Sequence, residues 1–196
     1  MANMITARVQ IEGVRAILWH HFGPDALPLE KRERTGVAGN DPEEWRKTVL
    51  MTAERQLYLE PSYIFGCLRD AARYTRKGKG SIQPALTATL QIVDDRILVD
   101  RVVPEEPLPT DPTALVYMDI RSVRNPSTKA RNVRYRVAAA PGWTTQFTLL
   151  WDRTIVSQTE MRAVLHDAGQ LVGLGDGRSI GYGRFTIREV DSESTE

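Results

Sequence analysis

Arginine and glycine carry the most suggestive chemistry in this chain, and they meet in Gly173-Leu174-Gly175-Asp176-Gly177-Arg178-Ser179-Ile180-Gly181-Tyr182-Gly183-Arg184-Phe185. Glycine costs conformational entropy, so a folded chain keeps such a run where the backbone needs positive φ or close approach. The glycines Gly173, Gly175, Gly177, Gly181 and Gly183 leave amides uncovered, Ser179 adds a hydroxyl, and Arg178 and Arg184 lie among them. A dinucleotide fingerprint needs a strand before the glycines and a helix after, and a Walker loop ends in Gly-Lys-Ser/Thr. Here a helical pattern precedes and a strand pattern, Phe185 to Val190, follows, with no such lysine. A helix-to-strand loop of this kind suits a phosphate backbone lying across a sheet. The plainer alternative is a tight turn with solvated arginines.

Two further cationic sets stand out. Arg69, Arg73 and Lys77 recur at i, i+4 and i+8 in a helical pattern, continued by Arg76 and Lys79, with Asp70 as the local counter-charge. That spacing predicts one helix face, either turned to an anion or simply solvated. Between Arg121 and Arg136 lie Arg124, Lys129, Arg131 and Arg134 with no acidic residue. Strand-like flanks make this stretch a protruding β-hairpin with a cationic tip. Tyr63, Tyr74, Trp19 and Tyr182 are candidates for stacking on bases, a contact worth about 1–3 kcal/mol where it forms. Each fits a core equally well, and Trp19 fits it better.

The elements that must position these groups follow from periodicity. Ile5, Ala7, Val9 and Ile11 alternate with polar residues as a half-buried strand does, and Val14 to Trp19 extend it beyond Gly13. His20 to Pro42 read as a long loop. Trp45 to Met51 and Leu57 to Leu59 read as a hairpin, or as a short helix from Pro42 followed by a strand. A helix starts near Ser62, its expected N-cap, with Ile64, Leu68, Ala71 and Ala72 as the apolar stripe. Leu86 to Val93, Ile97 to Val103, Val116 to Arg121, Val133 to Ala138 and Phe147 to Trp151 read as strands. Pro104 to Pro112 form an irregular connection. Ser157-Gln158-Thr159-Glu160 has the capping-box pattern and opens a second helix along Met161, Val164, Leu165, Ala168, Leu171 and Val172.

Length and composition bound the rest. A chain of 196 residues, 41% hydrophobic and 26% charged, builds a real core, and its net charge of +1 excludes a global polyelectrolyte. A single cysteine, Cys67, excludes an internal disulfide and a cysteine-based zinc site, and no metal or other cofactor is expected. No signal peptide or membrane span is legible, so the expected compartment is the cytoplasm. The order strand, helix, strand, strand, helix, strand predicts an α+β, ferredoxin-like (RRM-like) βαββαβ core. It would fill residues 1–190 as one domain, with insertions at about 13–60 and 101–142 and a frayed acidic tail at 191–196.

Two stretches then resemble a known family. The glycine-rich stretch is similar to the C-terminal glycine loop of the RAMP superfamily of CRISPR-associated proteins. Leu57-Tyr58-Leu59-Glu60-Pro61-Ser62-Tyr63-Ile64-Phe65-Gly66-Cys67-Leu68-Arg69 resembles the segment opening the first helix in backbone subunits of multi-subunit CRISPR effectors. The resemblance implies a non-enzymatic protein that coats single-stranded guide RNA and self-assembles along it, alongside other effector subunits. The basic hairpin would be the thumb that kinks the strand. A phage-type relative that binds single-stranded DNA is the alternative. A metal-independent, guide-processing endoribonuclease is another, with His20 or His21 as general base, a role that suits a pKa near neutrality. Some family members cut target RNA with a loop aspartate, and Asp41 in Gly39-Asn40-Asp41-Pro42 stands in a comparable loop, although Asp-Pro is also an ordinary helix start.

Overall fold

The computed structural model describes residues 3–23, 41–124 and 131–194. In chain order the elements are β1 (Met4–Gly13), β2 (Ile17–Trp19), α1 (Glu44–Thr48), β3 (Gln56–Leu59), α2 (Pro61–Ala71), β4 (Arg76–Lys77) and β5 (Gly80–Ser81). They continue with α3 (Gln83–Thr89), β6 (Gln91–Ile92), β7 (Ile97–Val102), β8 (Val116–Arg124), β9 (Arg131–Ala139), β10 (Thr144–Asp152), α4 (Gln158–Asp167) and β11 (Phe185–Ser194).

The fold is ferredoxin-like. β1 is an interior strand, and its alternating apolar residues, Ile5, Ala7, Val9 and Ile11, are buried on one face. It pairs antiparallel with β10 on one side and β11 on the other. The sheet order β11–β1–β10–β7–β3 puts the last core strand beside the first and the third between the first and the second. α2 and α4 bury Ile64, Cys67 and Leu68, and Met161, Val164 and Leu165, in one core with the sheet. β8 and β9 form a separate three-stranded sheet with β2 in the order β2–β9–β8.

Local chemistry accounts for the helix ends. α4 has the full capping box: the Ser157 hydroxyl accepts from the Glu160 amide, and the Glu160 carboxylate accepts from the Ser157 amide at 2.8 Å. α2 starts two residues earlier than expected, with Glu60 rather than Ser62 as its N-cap. Pro61 takes the first helical position, where its missing N–H costs nothing, and Ser62 lies inside the helix.

Four expectations are corrected, and the choice left open at Trp45 to Met51 falls to the helix. α2 stops at Ala71: the chain turns, with the Tyr74 amide on the Ala71 carbonyl at 2.9 Å, and folds into the β4–β5 hairpin around Gly78. The expected helix face is therefore broken: Arg69 is on α2, Arg73 in the turn that follows it and Lys77 in β4. Leu86 to Thr89 are helical, because Pro84 presets the first turn and Ile82, Leu86 and Leu90 recur at helical spacing on the core side; only Gln91–Ile92 remain as strand. β2 does not extend β1. The backbone at Gly13 passes so close to Trp143 that a Cβ there would lie 2.0 Å from the indole, and β2 leaves to pair with β9. Residues 44–48 are helical, and the hairpin begins only after them, with Met51 bridged to Leu57. The acidic end is not frayed through Ser194, which pairs with Ile5 in the sheet.

Cys67 lies under α4, its thiol pushed up to about 12, chiefly by burial. A thiol held protonated and covered is a poor nucleophile. A chromogenic disulfide reagent at pH 8 should leave the native protein unlabelled and modify one thiol per chain only on unfolding in denaturant.

Candidate nucleic-acid interface

The glycine loop lies flat on β2. The Leu174 amide donates to Gly183 (2.9 Å), Gly183 to Ala16 (2.8 Å), and Asp176 to Leu18 (2.8 Å). This close approach selects glycine at two positions above all. A Cβ on Gly183 (φ 68°) would lie 1.8 Å from the Leu174 carbonyl oxygen, and one on Gly175 (φ 75°) 2.6 Å from that of Leu18. Gly177 and Gly181 bracket a 3-10 turn, Arg178–Ile180, which contains Ser179. Much of the loop's hydrogen-bonding capacity is thus spent internally. The amides of Gly177, Arg178 and Ser179 donate to no backbone carbonyl among the described residues. Gly173 (φ 83°) turns the chain out of the α4 extension.

The hairpin faces this loop and is bolted to it. In the β8–β9 register Asp119 stands opposite Arg136, and Arg121 opposite Arg134. Arg136 is buried, with one terminal nitrogen 2.7 Å from Asp119 Oδ2 and the other 2.9 Å from Asp176 Oδ2 of the glycine loop. Arg121 Nε donates to Asp119 Oδ1 at 2.7 Å, and its guanidinium lies 5.2 Å over the Tyr182 ring. Burial raises the Tyr182 hydroxyl pKa, and the Asp119 carboxylate adds to it. Arg134 reaches back to Glu44 on α1, which also accepts His20 Nε2 at 3.2 Å.

Between hairpin, loop and the end of α2 runs an open groove of about 1100 Å³. Arg73, Arg121, Arg134, Arg178 and Arg184 line it together with Tyr74, a residue 57% exposed. A second depression of about 540 Å³ adjoins it along the start of α2, lined by His21, Tyr63 and Arg69. Gly175 and Arg178 belong to both. At their junction one carboxylate serves three guanidiniums: Asp70 stands 3.0 Å from Arg69, 3.4 Å from Arg73 and 3.6 Å from Arg178. Arg184 Nη1 is buried with no hydrogen-bond partner among the described residues.

Arg69, Arg73, Arg121, Arg134, Arg178 and Arg184 thus converge. Arg76 and Lys77 do not line either depression; Lys77 Nζ donates to the Ile155 carbonyl at 2.5 Å and pairs with Glu160 at 3.4 Å. Arg124 ends β8 opposite the exposed Arg131, and Lys129 lies outside the described residues. Trp19 is core, its indole N–H donating to the Tyr58 carbonyl at 2.8 Å. The Tyr63 hydroxyl is 3.3 Å from His21 Nδ1, and burial, then Glu60 and Asp176, push its pKa up to about 12. His21 also lies 3.6 Å from Glu60. Asp41 leads α1 and accepts the Glu43 amide at 3.1 Å; Gly39 and Asn40 lie outside the described residues. Among the described residues no three His, Cys, Asp or Glu side chains cluster as metal ligands, and no helix is long and apolar enough to cross a membrane.

Apart from Asp70, the acidic half of the site was not legible in the sequence. Asp119, Asp176 and Glu44 each hold an arginine of the hairpin, and Arg136 proves to be structural rather than free. The one available signal was Asp119 two residues before Arg121, which puts both on one face of a strand.

No family model and no curated protein matches the sequence. Among solved structures, a chain in the cryo-EM structure of the Type III-B Cmr-beta bound to cognate target RNA is similar, at 17% identity and a TM-score of 0.56. The match covers 98% of this chain and 61% of that one. The two share a fold, and this chain spans about 61% of its neighbour's length.

The Arg136 pairing makes a sharp contrast testable. Removing one partner of a buried ion pair strands the other, so Arg136→Ala should cost roughly 3–5 kcal/mol in urea unfolding. Arg121→Ala, at the exposed end of the same cluster, should cost about 1 kcal/mol or less.

Proposed function

We propose that this chain binds single-stranded RNA as a non-enzymatic, backbone-type subunit of a CRISPR effector complex related to the RAMP superfamily, several copies following one strand beside other effector subunits in the cytoplasm. The observation that carries this reading is the convergence of arginines from three separate elements on one open groove. Each element contributes something different. The end of α2 brings Arg69 and Arg73 with Tyr74, the glycine loop brings Arg178 and Arg184, and the hairpin brings Arg121 and Arg134. Arginines at this spacing suit phosphates, and tyrosine faces suit unstacked bases. A net charge of +1 with such a local concentration suits a subunit that binds a polyanion on one side and packs against protein elsewhere. The fold shared with a chain of an RNA-bound complex supports RNA over DNA as the strand.

A second reading has its own observation. His21 touches Tyr63 and Glu60 beside Arg69 and Arg178, the kind of arrangement a metal-independent ribonuclease uses to take a proton from a ribose 2′-OH and steady the phosphate.

The test is fluorescence anisotropy with a labelled ~40-nucleotide RNA, the matching single-stranded DNA, and a salt series. Log affinity should fall linearly with log salt, with a slope of about −0.7 for each phosphate neutralised. Arg69→Ala with Arg73→Ala should weaken binding by roughly tenfold or more and flatten that slope by about 1.4. RNA recovered intact favours the binding role, and cutting that stops on 2′-deoxy substitution favours the second. No binding at low salt contradicts both.

A further inference from the structure

We propose that the Arg178–Asp70 pair is a latch across the strand path, with Asp70 holding in the free protein the place that an RNA phosphate takes in the complex. This rests on the RNA-binding reading above and adds to it how the groove opens.

Three observations lead there. First, the two depressions meet at Arg178, which lines both, so a strand running from Tyr63 to Tyr74 must pass it. Second, Arg178 leaves the glycine loop there to meet Asp70 on α2 at 3.6 Å, bridging the two walls. Third, Asp70 gives one oxygen to Arg69 and Arg73 and the other to Arg178. A phosphodiester offers the same: one negative charge and two free oxygens for charged donors. The guanidiniums are the more exposed partners, at 46%, 63% and 38%, and Asp70 is the least, at 20%. The cations can therefore swing outward to a ligand while the carboxylate stays behind.

The sign of the effect follows. Exposed ion pairs contribute little, so the order Asp70 imposes on its arginines is worth little. A carboxylate left within a few ångströms of an arriving phosphate repels it, and salt screens that repulsion. On balance Asp70 weakens binding. It keeps a single copy's grip loose, so that neighbouring copies on one strand supply the rest.

The experiment compares wild-type protein, Asp70→Asn and Asp95→Asn on the same ~40-nucleotide RNA at low and high salt. Asp95 is exposed in the turn between β6 and β7, lines neither depression, and controls for the change in net charge. The latch predicts that Asp70→Asn binds roughly five- to tenfold tighter at low salt, that the gain shrinks about to nothing near 0.5 M salt, and that Asp95→Asn matches wild type. Salt-sensitive binding by wild type with equal or weaker binding by Asp70→Asn overturns the latch and leaves the RNA reading standing. An equal gain in Asp95→Asn also overturns it. Binding by Asp70→Asn alone supports the latch in its strongest form. Binding by none of the three sinks the RNA reading and the latch with it. A thermal midpoint of Asp70→Asn near that of wild type shows that each result comes from a folded protein.

Discussion

Arg136 holds the site together. It is a buried cation shared between Asp119 on the facing strand and Asp176 in the glycine loop. Desolvating such a group is costly, and only good geometry with charged acceptors offsets it. Here the geometry is supplied by backbone. The antiparallel register sets Asp119 opposite Arg136, and the bridge from Leu18 to Asp176 sets the loop beside β2. β2 is thereby held on one side by β9 and on the other by the glycine loop. Hairpin, strand and loop become one wall, and the groove exists because that wall faces the end of α2.

The same economy of charge runs through the surface. The stretch from Arg121 to Arg136 is wholly cationic along the chain, yet its arginines are held by acids outside it: Glu44 for Arg134, Asp119 at the base of the hairpin for Arg121, and Asp176 with Asp119 for Arg136. On α2, Asp70 does this for three arginines at once. Asp119 and Asp176 fix where the buried Arg136 points, and the excess of cations over acids at the groove gives it an affinity for anions. A protein of nearly neutral net charge can thus present one strongly positive line.

Much of the frame was legible in the sequence, because each cue was a local physical rule. Alternation in Ile5 to Ile11 marked a half-buried strand, Ser157-x-x-Glu160 marked a helix start, and the glycines between Gly173 and Gly183 marked a helix-to-strand loop with positive φ or a close approach. The misreadings came where tertiary context wins. Arg69, Arg73 and Lys77 have helical spacing, but spacing does not say where a helix ends, and the turn after Ala71 removes Lys77 to the Glu160 side. Leu86 to Thr89 could be buried strand or buried helix, and Pro84 in the first turn favoured the helix. The partners of Arg136 could not be read at all, since Asp176 lies forty residues away and meets it only through the way β2 is placed.

Photo-cross-linking reads directly where a strand lies on the protein. RNA carrying 4-thiouridine would be bound to the protein, irradiated, digested and mapped by mass spectrometry. A strand in the two joined depressions gives cross-links at Tyr74 and Tyr63, which line them. Cross-links confined to Arg8, Gln10 and Gln146, exposed on the open face of the central sheet, would place the strand on the other side of the molecule and contradict that path.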